Sequence, residues 1–238
     1  MIKKFLFFIF VFISFPCYSW DINPEFHIGN DSRYINSIKI QSETVLKGKR
    51  ILFIGSSVTR GAASMNISFA DMLQKKYNIY MIKDAIDGTT LVDVDNNSYI
   101  SRLKKYKASD NIDLLVVQLS TNDSYKNFPI YGGKDSIENA IFTIIAYAEK
   151  VLHCPVLFFT NPPLVNNTRY KEMVTLLQEI KEKRKIYIID IFHNEEFNSM
   201  SQYEYQLCMF DHVHPTLAGY SHWLPYFENA LEEIFIKK

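Results

Sequence analysis

Five short, mainly apolar runs occur along the chain, and segments with helical spacing of apolar residues separate most of them. The first run, Ile51–Ile54, does not alternate with polar residues, which is typical of a strand that is buried on both faces. The predicted strands are Arg50–Ile54, Ile79–Ile82, Ile112–Leu119, Pro155–Thr160 and Lys185–Ile191.

Between these strands, apolar residues recur at three- and four-residue intervals, as they do on one face of an amphipathic helix. The clearest example has Ile137, Ile141, Ile144 and Ala148 at this spacing. The predicted helices are Ser68–Tyr77, Tyr99–Tyr106, Asp135–Leu152, Tyr170–Lys183 and Thr216–Ile236. Because strands and helices alternate, we expect a single α/β domain over residues 49–238, with a parallel sheet between two helical layers.

The N-terminal part of the chain does not follow this alternation. Residues 1–19 combine two lysines with an apolar stretch that is short for a bilayer span, and small residues follow, so we predict a signal peptide cleaved before Trp20. An uncleaved membrane anchor is the alternative, and in either case the domain is expected to be exported, as a periplasmic or secreted protein. Residues 20–48 are predicted to form a surface segment, with a possible short strand at Ile38–Ile40.

The composition fits an ordinary globular protein. The 238 residues are 47% hydrophobic, and the formal net charge is zero, so no basic excess suggests nucleic acid as a partner. If Cys17 leaves with the signal peptide, Cys154 and Cys208 remain. We favour two buried thiols over a disulfide, although pairing stays open in an oxidising compartment.

Polar groups follow the first three strands, at the edge where the loops of an open α/β sheet converge. Ser57 comes after the first strand, Gly88 lies in a turn after the second, and Asn122 follows the third within Ser-Thr-Asn-Asp. His214 comes late in the chain, just before the last helix, with Asp211 three residues earlier. Together these residues could supply a nucleophile, a general base, an acid that orients the base, and donors for an oxyanion.

Each of these motifs also has a plain structural interpretation. Gly-Ser-Ser after a strand is often only a turn or a helix cap, and Asn-Asp often hydrogen-bonds its own backbone. Asp211, His212 and His214 could be interpreted as metal ligands, but we disfavour this because His212 and His214 alternate in direction and no distant ligand set is evident. The order and placement of the motifs favour catalysis.

The motifs Gly55-Ser-Ser57, the Gly88 turn, Asn122 in Ser-Thr-Asn-Asp, and Asp211-x-x-His214-Pro resemble the sequence blocks of the SGNH (GDSL-type) hydrolases. The resemblance runs from Lys49 to the end of the chain. It implies a flavodoxin-like three-layer α/β/α sandwich with a central five-stranded parallel sheet, and ester hydrolysis without a metal or other cofactor. It also implies Ser57 as nucleophile, His214 as base and Asp211 as its partner. The implied oxyanion donors are the backbone amides of Ser57 and Gly88 and the side-chain amide of Asn122.

Three positions depart from the family's usual residues. Ser56 stands where an aspartate is usual, Ala85 replaces the first glycine of the second block, and Ser120 replaces the glycine before Thr-Asn-Asp. None of these positions has a catalytic role in the family, but Ser56 removes a carboxylate beside the nucleophile. The loop Asn161–Asn167, past the fourth strand, either shapes the substrate pocket or is an ordinary surface connection.

We therefore predict an exported serine esterase that acts on short acyl or acetyl esters, including those of carbohydrates. Two alternatives stay open. An O-acyltransferase would pass the same acyl group to a sugar hydroxyl, and a non-catalytic flavodoxin-like domain would only bind a glycan or a protein partner. A membrane contact is expected only through the N-terminal segment, and the sequence leaves the oligomeric state open.

Overall fold

The computed structural model describes residues 23–237, so the predicted signal peptide at residues 1–19 lies outside the described residues. The five strands of the sheet are all parallel and are arranged in the order β2-β1-β3-β4-β5. They are β1 (Arg50–Gly55), β2 (Tyr80–Ala85), β3 (Leu114–Gln118), β4 (Val156–Phe159) and β5 (Tyr187–Ile189).

Within residues 23–237, ten α-helices connect and cover these strands. They are α1 (Arg33–Asn36), α2 (Ser57–Arg60), α3 (Phe69–Tyr77), α4 (Tyr99–Leu103), α5 (Thr121–Tyr125), α6 (Ile137–Tyr147), α7 (Thr168–Lys183), α8 (Glu195–Asn198), α9 (Gln202–Cys208) and α10 (Leu217–Ile236). A π-helical turn, Ala148–Leu152, continues α6, and short 3₁₀ helices span Pro24–Phe26, Ile28–Asn30 and Ala108–Asp110. No helix among residues 23–237 is long and apolar enough to cross a membrane.

Both faces of the inner strands β1, β3 and β4 are buried, as the uninterrupted apolar runs predict. Successive side chains of β1 enter opposite cores: Leu52 and Ile54 pack with α4, α6 and α7, whereas Ile51 and Phe53 pack with α3 and α10. This alternation follows from the two-residue period of a strand. The result is the predicted three-layer α/β/α sandwich with a flavodoxin-like strand order.

The sheet order also creates the place for a site. From β1 the chain goes to β2 on one side and then to β3 on the other side, so the loops after β1 and β3 diverge at the centre of the sheet. Ligands of open α/β sheets bind at such a point, outside the carboxyl ends of the strands.

Several predicted boundaries are corrected by the structure. Ile38–Ile40 is not a strand: the Gln41 N–H donates to the carbonyl of Lys76, so the chain passes over the end of α3 instead of joining the sheet. The helix predicted from Tyr99 to Tyr106 ends at Leu103. Strands β3 and β5 are shorter than the apolar runs that contain them.

Cys154 and Cys208 are both buried, in different parts of the molecule. Cys154 belongs to the core between the sheet and α6, whereas Cys208 lies in a small cluster beside the start of α10. Burial raises the pKa of the Cys208 thiol to about 11, which keeps it protonated and unreactive at neutral pH.

Candidate active site

A tight turn joins β1 to α2 and places Ser57 at the first position of that helix. The turn depends on Gly55, since a Cβ atom there would lie 1.8 Å from Thr59 Oγ1. The N–H groups of the first helical turn have no acceptor within the helix. Ser57 is therefore held just past the carboxyl end of β1, with its own backbone N–H available to a ligand.

The side chain of Gln118, the last residue of β3, holds this turn through hydrogen bonds. Its side-chain oxygen accepts hydrogen bonds from Ser56 N (3.0 Å), Thr59 N (3.2 Å) and Thr59 Oγ1 (2.9 Å). Because backbone N–H groups can only donate, they fix which end of the Gln118 amide faces them. Sequence analysis did not identify Gln118, although a glutamine at the end of an otherwise fully apolar strand is a visible signal.

Asp211 and His214 lie in the loop between α9 and α10. A hydrogen bond from Phe210 N to the His214 carbonyl, 2.9 Å long, closes this loop. One Asp211 oxygen accepts from the backbone N–H groups of Val213 and His214, each at 2.7 Å, and the other lies 2.8 Å from His214 Nδ1. The carboxylate is therefore oriented by the same turn that carries the imidazole.

Two opposing effects act on the Asp211 carboxyl. Burial raises its pKa, but the hydrogen bond and charge interaction with the His214 ring, together with the two backbone N–H groups, outweigh burial and hold the pKa below its usual range. Asp211 is therefore ionised at neutral pH, and its free carboxylate oxygen accepts a hydrogen bond from the Nδ1–H of His214. This fixes the His214 tautomer in which Nε2 carries a lone pair.

The structure brings Ser57, His214 and Asp211 into one hydrogen-bonded series. Ser57 Oγ lies 2.8 Å from His214 Nε2, across 157 positions of sequence. Ser57 is 8% exposed, so its hydroxyl can be reached from the pocket while most of the residue is buried. The arrangement suits transfer of the Ser57 proton to His214.

Gly88 and Asn122, the other two residues predicted to supply oxyanion donors, line the same pocket as Ser57 and His214. Gly88 has φ of +71°, a conformation that favours glycine. The Asn122 side-chain nitrogen donates one hydrogen bond to the Thr89 carbonyl, at 2.9 Å, which leaves its second N–H for a ligand. Within residues 23–237, neither Ser57 N nor Gly88 N donates an interstrand, turn or side-chain hydrogen bond.

Two buried ionisable residues, whose role the sequence did not reveal, hold the loop containing Gly88. Asp123 accepts hydrogen bonds from Leu91 N (2.9 Å) and Val92 N (3.0 Å). Burial raises the pKa of Asp123 to about 6, although the hydroxyl of Ser120 and these two N–H groups act to lower it. Sequence analysis noted Asp123 only as part of the motif around Asn122.

Arg102 braces the same loop from the opposite side and is fully buried. Its guanidinium donates to the Gly55 carbonyl at 2.7 Å and to Thr89 Oγ1 at 3.3 Å, and it pairs with Asp84 at 2.6 Å. Arg102 thus connects the ends of β1 and β2 to the loop after β2. Because its ion pair and carbonyl contacts span distant parts of the chain, no local pattern indicates it.

A pocket of about 450 Å³ opens in front of Ser57. Arg60 and Asp87 form a two-pronged ion pair at its polar side, half exposed to solvent. The pocket is lined by Pro24, Ser57, Arg60, Ala62, Ala63, Asp87, Gly88, Asn122, Phe210, Asp211 and His214.

Two sequence-based alternatives are not supported by the positions of their residues. His212 is exposed, and its ring nitrogen lies 3.3 Å from the Tyr205 hydroxyl; over the described part of the chain, no three histidine, cysteine or acidic side chains come together as a metal site would require. None of the residues Asn161–Asn167 lines the pocket. Instead, the Asn161 side chain donates a hydrogen bond to the Val213 carbonyl at 3.3 Å and so supports the loop that carries His214.

Comparison with known proteins gives one family match. The model of the family described as GDSL-like lipase/acylhydrolase matches residues 53–222. A solved structure from Lactobacillus plantarum has a TM-score of 0.68 at 13% identity, covering 79% of this chain and 98% of its own. The acetylxylan esterase Axe2 from Geobacillus stearothermophilus has a TM-score of 0.60 at 15% identity, covering 79% of this chain and 96% of its own. No relative was found among curated proteins.

Proposed function

Because the chain belongs to the GDSL-like lipase/acylhydrolase family and is therefore an ester-bond hydrolase, we propose that it is a serine esterase acting on short acyl esters. The observation that carries this proposal is the hydrogen-bonded series from Ser57 through His214 to Asp211, with both distances at 2.8 Å. Export remains part of the proposal, and it rests on the sequence of residues 1–19.

In the first half of the proposed reaction, Ser57 Oγ attacks the ester carbonyl carbon while His214 Nε2 takes the hydroxyl proton. The carbonyl π electrons move to the oxygen, and the resulting oxyanion accepts hydrogen bonds from Ser57 N, Gly88 N and Asn122 Nδ2. Asp211 stabilises the imidazolium that forms and keeps its tautomer correct. When the tetrahedral intermediate collapses, the alcohol oxygen leaves with the proton from His214, and the acyl group stays on Ser57.

In the second half, His214 takes a proton from water, and the hydroxide equivalent attacks the acyl-enzyme carbonyl. A second oxyanion forms at the same three donors. Its collapse breaks the bond to Ser57 Oγ, which recovers its proton from His214, and the carboxylic acid is released. The residues of the site thus complete both half-reactions with no net change in their own protonation.

The shape of the pocket supports a small or medium-sized ester as substrate. Its volume of about 450 Å³ lies toward the small end of ordinary ligand pockets, and its wall combines apolar Pro24, Ala63 and Phe210 with the polar Arg60–Asp87 pair. A fold shared with an acetylxylan esterase makes acetyl esters of carbohydrates the first natural substrates to test.

The test is hydrolysis of p-nitrophenyl esters of increasing acyl length by the wild type and by Ser57→Ala. We expect Ser57→Ala to lose hydrolysis and fluorophosphonate labelling while keeping its melting temperature, and we expect a preference for the shortest acyl chains. Ser56→Ala is the matched control, because Ser56 is the adjacent hydroxyl and is fully buried. Hydrolysis that survives in folded Ser57→Ala would contradict the mechanism.

A further inference from the structure

The segment Pro24–Asn30 precedes the part of the chain that the family model covers, which begins at residue 53, yet it reaches the pocket. Pro24 lines the pocket together with Ala63 and Phe210. The segment consists of two short 3₁₀ helices, Pro24–Phe26 and Ile28–Asn30. Part of the pocket wall therefore comes from outside the region that defines the family.

Asn30 fastens this segment to the loop after α2 and to the start of α10. The residue is 6% exposed, and its side-chain nitrogen donates to the Pro24 carbonyl at 2.6 Å and to the Ala63 carbonyl at 2.7 Å. Its side-chain oxygen accepts from Leu217 N at 2.8 Å, at the start of α10. Both ends of one buried amide are thus used, and they connect Pro24 with the loop after α2 and the helix after His214.

Two further contacts place the segment against α9 and against the loop that follows it. A Cβ atom on Gly29 would lie 1.9 Å from the Leu207 carbonyl oxygen, so the backbone approaches α9 more closely than any other residue type allows. The His27 ring lies 5.5 Å from the ring of Phe210, which is itself part of the pocket wall. By contrast, the side chain of Phe26 is not part of the pocket, and Phe26 is 79% exposed.

The position of this wall indicates which part of the ester it contacts. In an ester hydrolysis that uses His214 as acid and base, the leaving alcohol oxygen must lie next to His214 to receive its proton. The segment packs on Phe210, whose backbone N–H is hydrogen-bonded to the His214 carbonyl at 2.9 Å. Because Pro24, Phe210 and His214 line the same pocket, we expect the alcohol portion to leave along the wall that Pro24 and Phe210 form.

Building on the proposed function, we propose that the Pro24–Asn30 segment forms the alcohol subsite of this esterase. Pro24 is its specificity-determining residue, because its ring limits the size of the alcohol group. Asn30 is a positioning residue, because it acts only by holding Pro24 and Ala63 in place. Small alcohols are accommodated, and bulky aromatic alcohols meet the Pro24 ring.

The test compares kcat/KM for phenyl acetate and 2-naphthyl acetate in the full-length protein. Pro24→Ala should raise the naphthyl-to-phenyl ratio by about fivefold or more, since even one methylene group in a pocket commonly changes kcat/KM by about tenfold. Asn30→Asp keeps the acceptor for Leu217 N but removes both donors, so it should move the ratio in the same direction, mainly through KM. Phe26→Ala is the control and should leave the ratio unchanged.

A second pair of substrates, p-nitrophenyl acetate and butyrate, separates the alcohol side from the acyl side. Their ratio should stay the same in Pro24→Ala, and a change confined to this pair would overturn the assignment to the alcohol. An unchanged naphthyl-to-phenyl ratio in folded Pro24→Ala would overturn the subsite itself, even if Asn30→Asp failed to fold. Hydrolysis that Ser57→Ala does not lower would instead contradict the proposed function.

Discussion

The side-chain amide of Asn122 carries two N–H groups with different expected roles, and Asn122→Ala removes both. One donates to the Thr89 carbonyl at 2.9 Å. The other remains for the substrate, because Asn122 lines the pocket beside Ser57 and Gly88. We expect the first N–H to contribute to stability and the second to stabilise the transition state, so the two losses should appear in different measurements.

The structure allows both magnitudes to be estimated. A neutral, partly buried hydrogen bond contributes about 1 kcal/mol, and the Thr89 carbonyl keeps a longer contact with Ser120 Oγ at 3.4 Å. We therefore expect the melting temperature to fall by only about 2–4 °C. A lost oxyanion donor costs about 10²–10³ in kcat, or about 3–4 kcal/mol. KM should hardly change, because the ground-state carbonyl uses the donor less than the oxyanion does.

The assay measures kcat, KM and melting temperature on one preparation of Asn122→Ala, with p-nitrophenyl acetate as substrate. Ser120→Ala is the matched control. Like Asn122→Ala, it removes a side-chain contact with the Thr89 carbonyl, here from the Ser120 hydroxyl. Ser120 is fully buried, however, and offers the substrate no donor. It should lower the melting temperature without a large loss of kcat. If Asn122→Ala is destabilised but keeps kcat within a few-fold of wild type, Asn122 has only a structural role.

Two further predictions concern the buried polar residues behind the site. Gln118→Leu leaves the N–H groups of Ser56 and Thr59 buried without their acceptor, which costs about 1–3 kcal/mol each. Both the free energy of unfolding and the rate of fluorophosphonate labelling of Ser57 should therefore fall. Normal labelling in a destabilised variant would show that Gln118 does not position the nucleophile. The Asp123 pKa rises from 3.8 in the unfolded chain to about 6 in the fold, so the folded state binds this proton more tightly. Its contribution to stability is therefore present at low pH and is lost as pH rises from about 4 to 6, by at most about 3 kcal/mol. Denaturant unfolding of wild type and Asp123→Asn between pH 4 and 7 tests this, and a difference that stays constant with pH would contradict it.

The sheet could be predicted from the sequence because every one of its strands is largely apolar. Ile51–Ile54 is buried on alternate faces against two different helical layers, and an uninterrupted apolar run is the pattern that this position requires. The predicted ends of the strands were less accurate, because a strand ends where its hydrogen-bonded pairing with the neighbouring strand ends. Ile112 is buried, but it lies before the first residue of β3 that pairs with β1.

That the candidate site residues lie close together could be predicted for a topological reason. Parallel strands end at one edge, so polar residues that directly follow them lie close together, and Asp211 and His214 are near neighbours in sequence. Arg102 and Asn30 follow no such rule. Asn30 contacts Ala63 and Leu217, which are 33 and 187 positions away, and an isolated asparagine in an irregular segment carries no local sign of these partners.

The unusual Ser56 can now be explained by its contact with Gln118. Ser56 is fully buried, and its hydroxyl lies 3.4 Å from the side-chain oxygen of Gln118, which already accepts from Ser56 N and Thr59 N. A side chain at position 56 that faces this Gln118 oxygen must therefore donate a hydrogen bond to it. The aspartate that is usual in the family would set an ionised acceptor against this acceptor at a fully buried position. Reversing the Gln118 amide would not help, because its nitrogen would then face two N–H donors. Ser56 and Gln118 are thus chemically matched, and substituting the family's aspartate at position 56 alone should disrupt the turn that carries Ser57.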